Sequence, residues 1–156
     1  MQALSKSPAF VTALLQLGTD SCKTPDLRLA TLVLLAKTLT RVSESATHPY
    51  DLQPLRDAII DLVTAAANDK RPRKQLESCL SALIRMDYPA RWPGLLDQVI
   101  AKIKEAQQTR ELYGALRVIH NVFGTFKREI GKARLPLRYL VPQVFPYLEN
   151  LLLNGM

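Results

Sequence analysis

Disulfide and metal chemistry have little to work with in this sequence. Its 156 residues include only two cysteines and two histidines. Cys22 and Cys79 are not spaced as CxxC and are too few for a disulfide framework, so reduced thiols are expected. A metal site needs three or four ligands at suitable spacing, and His48 and His120 stand far from any such cluster. Both read as structural or surface histidines. Glycine is scarce at 6 residues, and aromatics make up 6% of the chain. The stretch Gly18-Thr19-Asp20-Ser21-Cys22-Lys23-Thr24 lacks the second glycine that a phosphate loop places before its lysine. It also follows a helical pattern rather than a strand, so it reads as an inter-helix loop with Thr24 as a cap. No serine has a positioned base, so neither a catalytic site nor a cofactor is expected. No run approaches the ~18 apolar residues of a membrane span. The longest apolar-rich stretch, Leu29 to Leu39, is broken by Thr31, Lys37 and Thr38. Met1 to Ser7 shows no apolar run before a small-residue cleavage site, so no secretory leader is expected.

What remains has globular proportions. Apolar residues make up 47% and charged residues 22%, ordinary values that argue against disorder. The length suits one domain with a real core. The net charge of +7 is unevenly placed: residues 1–66 carry 6 basic and 6 acidic side chains, residues 67–156 carry 15 and 8. Two basic clusters account for much of the excess. Lys70, Arg71, Arg73 and Lys74 form the first. Lys127, Arg128, Lys132, Arg134 and Arg138 form the second. A solvated basic surface explains them, and so does an acidic partner or a nucleic acid. The first cluster opens a helix, where cations oppose the dipole.

Leu and Ala dominate, apolar spacing is helical almost throughout, and no segment alternates like a strand. The first helix is expected over Pro8–Leu17, with Ser7 as N-cap and Gly18 as the stop. The second covers Pro25–Thr40, capped by Thr24, with proline in the first turn. Its Leu27, Leu29, Leu32, Val33, Leu34, Leu35 and Leu39 run nearly all round, which calls for burial on more than one side. The third covers Pro54–Ala67 with a stripe of Leu55, Ile59, Leu62 and Val63. The fourth covers Pro72–Met86 with Leu76, Cys79, Leu80, Leu83 and Ile84. Asp87-Tyr88-Pro89 ends it, because a residue before proline avoids the helical region. The fifth covers Trp92–Lys104 with Leu95, Leu96, Val99, Ile100 and Ile103. The sixth, Thr109–Phe126, has a stripe of Leu112, Leu116, Ile119, Phe123 and Phe126. The seventh lies between Pro136 and Leu153, with a kink or a true start near Pro142.

Helix pairs therefore recur over 8–40, 54–86 and 92–126, close to the period of HEAT or armadillo repeats. The expected fold is all-α, a superhelix of about three HEAT-like pairs plus one extra helix, forming a single solenoid domain over 1–156. The unpaired last helix suggests a piece of something longer.

The segment Asp87-Tyr88-Pro89-Ala90-Arg91-Trp92-Pro93-Gly94-Leu95-Leu96 resembles the DYPxRWPxLL turn of the importin-β (karyopherin) superfamily. Two prolines can fix the turn and restart the helix, and Trp92 can fill a seam between repeats. Ser7-Pro8-Ala9-Phe10, then Pro25-Asp26-Leu27-Arg28-Leu29-Ala30 and Lys37, is similar to the family's N-terminal region. Leu135-Pro136-Leu137 and Phe145-Pro146 resemble the helix that follows there. The importin-seven and importin-eight branch is the nearest in pattern. The importin-eleven branch and the exportin of importin-α stay open. Arg41-Val42-Ser43 stand where the family usually has an aromatic, and the family begins with a further helix pair.

The resemblance implies a transport receptor that binds the GTPase Ran in its GTP form through inner helices. It also implies cargo proteins and Phe-Gly-repeat nucleoporins as partners, and a place in cytoplasm, nucleus and nuclear pore. By position the second, fourth and sixth helices match the inner ones. Their polar residues Arg28, Lys37, Gln75, Arg85, Arg117 and Asn121 are the candidate contacts. The alternative is a basic helical scaffold that binds RNA or an acidic protein.

Overall fold

The computed structural model describes residues 9–45, 50–88 and 91–128, together with 141–143, 145, 146, 149 and 153. All regular structure among them is helical. The helices are α1 (Phe10–Thr19), α2 (Pro25–Ser43), α3 (Gln53–Ala65), α4 (Lys70–Asp87), α5 (Leu95–Glu105) and α6 (Thr109–Arg128). Residues 141–143, 145, 146, 149 and 153 are helical too, Pro142 and Pro146 included. The expected start at Pro136 lies outside the described residues, as do Ser7, Pro8, His48, Pro49, Pro89 and Ala90.

Of the expected N-caps, the one at Thr24 holds. The Leu27 N–H donates to Thr24 Oγ1 at 3.2 Å, and Pro25 occupies the first turn of α2, where its missing N–H costs nothing. At the other end of the second pair, Tyr88 is extended (φ −84°, ψ 136°) and stops α4.

Two boundary expectations fail for packing reasons. Gly18 does not stop α1; it is buried inside it. A Cβ at that position would lie 2.7 Å from Leu32 Cδ2, so the glycine serves close approach of α1 to α2 rather than a left-handed cap. Trp92 does not start α5, which begins at Leu95. The Arg91 and Trp92 N–H groups instead both donate to the Asp87 carbonyl, at 2.7 and 3.0 Å. That turn drives the Trp92 ring inward, where 4% of the residue remains exposed.

The helices pair in chain order, α1 with α2, α3 with α4 and α5 with α6, and the pairs stack. The second helices form a row, since α2 runs along α4 and α4 along α6. α3 also lies against α6. Gly114 makes that crossing close: a Cβ there would lie 2.6 Å from Thr64 Cγ2 and 2.8 Å from the Thr64 carbonyl oxygen. This is the HEAT-like arrangement, in which each pair buries its apolar face against its neighbours.

The core is continuous across the stack. It contains Val11, Leu35, Leu39, Leu55, Ile59, Val63, Leu80, Leu83, Leu95, Val99 and Ile103. The expected faces of α4 and α5 are buried residue for residue. α2 departs from expectation: Leu27 and Leu34 are 48% and 40% exposed, because α1 and α4 cover only part of its circumference. α6 departs as well. Its most buried residues are Ala115, Val118, Ile119 and Val122, while Leu112, Leu116 and Phe123 are only half-buried. Contacts with α3, α4 and α5 together turn the small residues inward.

Candidate partner-binding face

The row of second helices is joined by polar contacts on one side. α4 and α6 sit in register at a separation of 40 residues, and three successive turns of each meet. Arg73 Nη1 donates to the Tyr113 hydroxyl at 3.1 Å. Arg117 holds Glu77 through Nη2 at 2.9 and 3.2 Å and through Nε at 3.1 Å. The Ser81 hydroxyl donates to Asn121 Oδ1 at 2.7 Å. Asn121 Nδ2 also donates to the Glu77 carbonyl at 3.0 Å, and the Thr125 hydroxyl lies 3.0 Å from that of Ser81. Side chains spaced by four on each helix face the partner helix, since every fourth position returns to one face.

Arg73 has a second task. Its Nη1 donates to the Ala67 carbonyl at 2.8 Å, just past the end of α3, where a cation complements free carbonyls. Its Nε lies 3.6 Å from Glu77. A cation that opposes the dipole of α4 is thus used at the C-terminal end of α3.

Between α2, α4 and α6 lies a concave pocket of about 360 Å³, lined by Thr40, Lys74, Glu77, Ser78, Ser81, Arg85 and Asn121. Of the six inner-helix candidates, Arg85 and Asn121 line it. Arg117 stands at its edge through the pair with Glu77. Lys37 is exposed on α2 one turn before Thr40, whereas Arg28 and Gln75 are half-buried away from the pocket lining. The Arg28 Nε is buried without a hydrogen-bond partner among the described residues. From the basic clusters, Lys74 lines the pocket, while Lys70 and Arg71 are exposed outside it. Lys127 and Arg128 close α6, and Lys132, Arg134 and Arg138 lie outside the described residues. Glu77, Ser78, Ser81 and Thr40 were not candidates in the sequence. The stepping Lys74, Ser78, Ser81, Arg85 was visible there as a polar stripe at helical spacing.

The turn after α4 has its own electrostatics. Asp87 is 1% exposed, and its carboxylate pairs with Arg56 of α3. Arg91 Nη1 reaches the other oxygen only at 4.0 Å, from an exposed position. Asp87 therefore anchors the turn twice, by its side chain to α3 and by its carbonyl to Arg91 and Trp92. Arg56 was missed in the sequence, because a partner 31 residues away leaves no local spacing signal.

Other chemistry is thin. Among the described residues no group of three or more His, Cys, Asp or Glu could hold a metal ion, and no helix is long and apolar enough to cross a membrane. Cys22 is exposed. Burial pushes the Cys79 thiol up from 9.0 to about 12, which makes it a packing group. The loop after α1 is an ordinary turn, with the Cys22 N–H donating to Asp20 Oδ1 at 2.9 Å.

No family model matches the chain, and no solved structure is significantly similar to it. Curated proteins are. The importin beta-like SAD2 homolog of Arabidopsis thaliana is 35% identical over 106 residues, covering 68% of this chain and 10% of that protein. Importin-8 of Homo sapiens is 29% identical over 98 residues, covering 63% and 9%. Exportin-2 of Oreochromis niloticus is 30% identical over 63 residues, covering 40% and 6%. The chain thus spans about a tenth of the length of the relatives it matches. Similarity over two-thirds of its residues and a stack of paired helices agree: the chain belongs to the importin-β (karyopherin) family.

Proposed function

We propose that this chain is one solenoid unit of a nucleocytoplasmic transport receptor, and that its α2–α4–α6 face contacts Ran in the GTP-bound form. The observation that supports this best is the convergence of Thr40, Arg85 and Asn121, from three successive second helices, on one concave pocket in a chain related to importins. Arg28, Lys37, Gln75, Arg85, Arg117 and Asn121 are the contacts this reading assigns. Cargo proteins and Phe-Gly-repeat nucleoporins are its further partners, and traffic between cytoplasm and nucleus is its setting.

The mechanism follows from the stack. Each pair packs against its neighbours, so small adjustments at each joint change the curvature of the whole. A GTPase and a cargo that favour different curvatures lower each other's affinity, and thermodynamics makes that effect reciprocal. The RNA reading draws less support from this face, because two of its cations, Arg73 and Arg117, are engaged by Ala67, Tyr113 and Glu77.

A pull-down with Ran locked in its GTP and GDP forms tests the proposal. Retention of the GTP form alone is expected. Binding to neither form, with helical circular dichroism intact, would refute Ran recognition by this piece.

A further inference from the structure

We propose that the pocket between α2, α4 and α6 holds an extended acidic peptide segment, clamped at its two ends by Lys74 and Arg85. The inference concerns the same face as the Ran proposal but does not need a GTPase as the ligand.

The pocket's charge is decided by two side chains. Glu77 is the one acidic group among the lining residues. Arg117 takes both of its oxygens, and Arg73 lies beside it. Its charge is therefore already met within the chain. Lys74 and Arg85 are exposed, and neither is in an ion pair with any described residue. They leave the pocket with two unmatched positive charges at opposite ends of its α4 wall.

The floor between them offers acceptors. The Ser78 hydroxyl donates to the Lys74 carbonyl at 3.1 Å and that of Thr40 to the Ala36 carbonyl at 2.8 Å. With their protons committed, both oxygens keep lone pairs for incoming N–H groups. An extended chain has such N–H groups along its whole length, whereas a helical ligand has spent them internally.

Spacing then fixes the ligand. Lys74 and Arg85 are three helical turns apart, ~16 Å along the axis. An extended peptide advances ~3.3 Å per residue and alternates its side chains. Acidic side chains about four residues apart lie on one side of it and ~13 Å from each other, within reach of two long cationic side chains. A single nucleic-acid strand fits less well. No aromatic lines the pocket, so bases find no stacking platform.

The test is fluorescence anisotropy of the full chain with a labelled Ser/Gly peptide that carries glutamates about four residues apart. The same peptide with glutamines is the control, and a single-stranded RNA is the competitor. Lys74→Glu and Arg85→Glu should each weaken the glutamate peptide by about fivefold or more, since each loses an attraction and adds a repulsion. Lys23→Glu makes the same change in net charge on an exposed residue in the loop between α1 and α2, far from the pocket, and binding should be unchanged. If either pocket reversal reduces helicity, Lys74→Gln and Arg85→Gln replace them with the same expected direction. Equal binding of the glutamine peptide overturns the proposal. So does a loss in Lys23→Glu as large as in Lys74→Glu, or displacement by RNA at lower concentration than by unlabelled peptide. Ran retention is measured on the same samples. Peptide binding without Ran retention leaves the acidic site standing and removes Ran recognition by this piece, whereas Ran retention without peptide binding removes the acidic site and leaves the Ran proposal standing.

Discussion

Replacing Arg56 by alanine should destabilise the chain far more than replacing Arg91, although both arginines approach the same carboxylate. The Asp87 side chain is fully buried and that of Arg56 is 12% exposed, whereas that of Arg91 is 66% exposed. Removing one partner of a buried pair leaves an uncompensated charge in a poor dielectric, which costs about 3–5 kcal/mol. An exposed pair at 4.0 Å is worth less than about 1 kcal/mol. For a domain of this size each kcal/mol moves Tm by roughly 2–4 °C. Arg56→Ala should therefore lower Tm by roughly 6–20 °C, and Arg91→Ala by less than about 4 °C. Asp87→Asn added to Arg56→Ala removes the stranded charge, so the double variant should recover part of the loss. Thermal and urea unfolding followed by circular dichroism measure Tm and unfolding free energy for all three. Added salt should leave the difference between the single variants standing, since a buried pair is weakly screened. Arg56→Ala within about 1 kcal/mol of the parent, or no different from Arg91→Ala, would refute the view that Asp87 is tied to α3 by a buried ion pair.

Gly114→Ala should destabilise by about 1–3 kcal/mol, because its methyl meets the Thr64 backbone and forces α6 away from α3. Gly124→Ala, on the same helix with nothing among the described residues within 4 Å of the added atom, should instead stabilise by about 0.5–1 kcal/mol; the same sign for both variants in urea would sink the packing argument. Cys79 gives a pH dependence. Its folded thiol titrates near 12 against 9.0 when solvated, so its contribution is complete below 9.0 and is lost as pH rises towards 12. The slope it adds to unfolding free energy is at most about −1.4 kcal/mol per pH unit, and Cys79→Ala should flatten the profile in that window. In the folded chain a thiol reagent at mildly alkaline pH should modify Cys22 readily and Cys79 only after urea is added.

Much of the molecule was legible without coordinates. Helical spacing identified six helices in their order, and the faces of α4 and α5 were right to the residue. The reason is physical: a face buried against a core must repeat with the helix, and a threonine before a proline is a local cap with a local geometry. The period of the pairs also announced the stack, because pairs that cannot bury their faces alone repeat until they can. The DYPxRWPxLL-like turn pointed to the family that the similarity of two-thirds of the chain supports.

Contacts between turns of different helices were decided by tertiary structure alone. Gly18 reads as a helix stop until α1 and α2 are brought together, and then its missing side chain is what the neighbour requires. Leu27 and Leu34 read as core until α1 and α4 prove to leave them exposed. Arg73 reads as part of a basic cluster and Arg117 as a candidate partner contact until α4 and α6 lie side by side and give them Tyr113 and Glu77. Composition and periodicity depend on a residue's near neighbours in the chain, so they determined the apolar stripes of α4 and α5 and the capped start of α2. Ion pairs and close crossings depend on residues far apart in the chain, 31 positions for Arg56 and Asp87 and 40 for Arg117 and Glu77, and only packing sets those side by side.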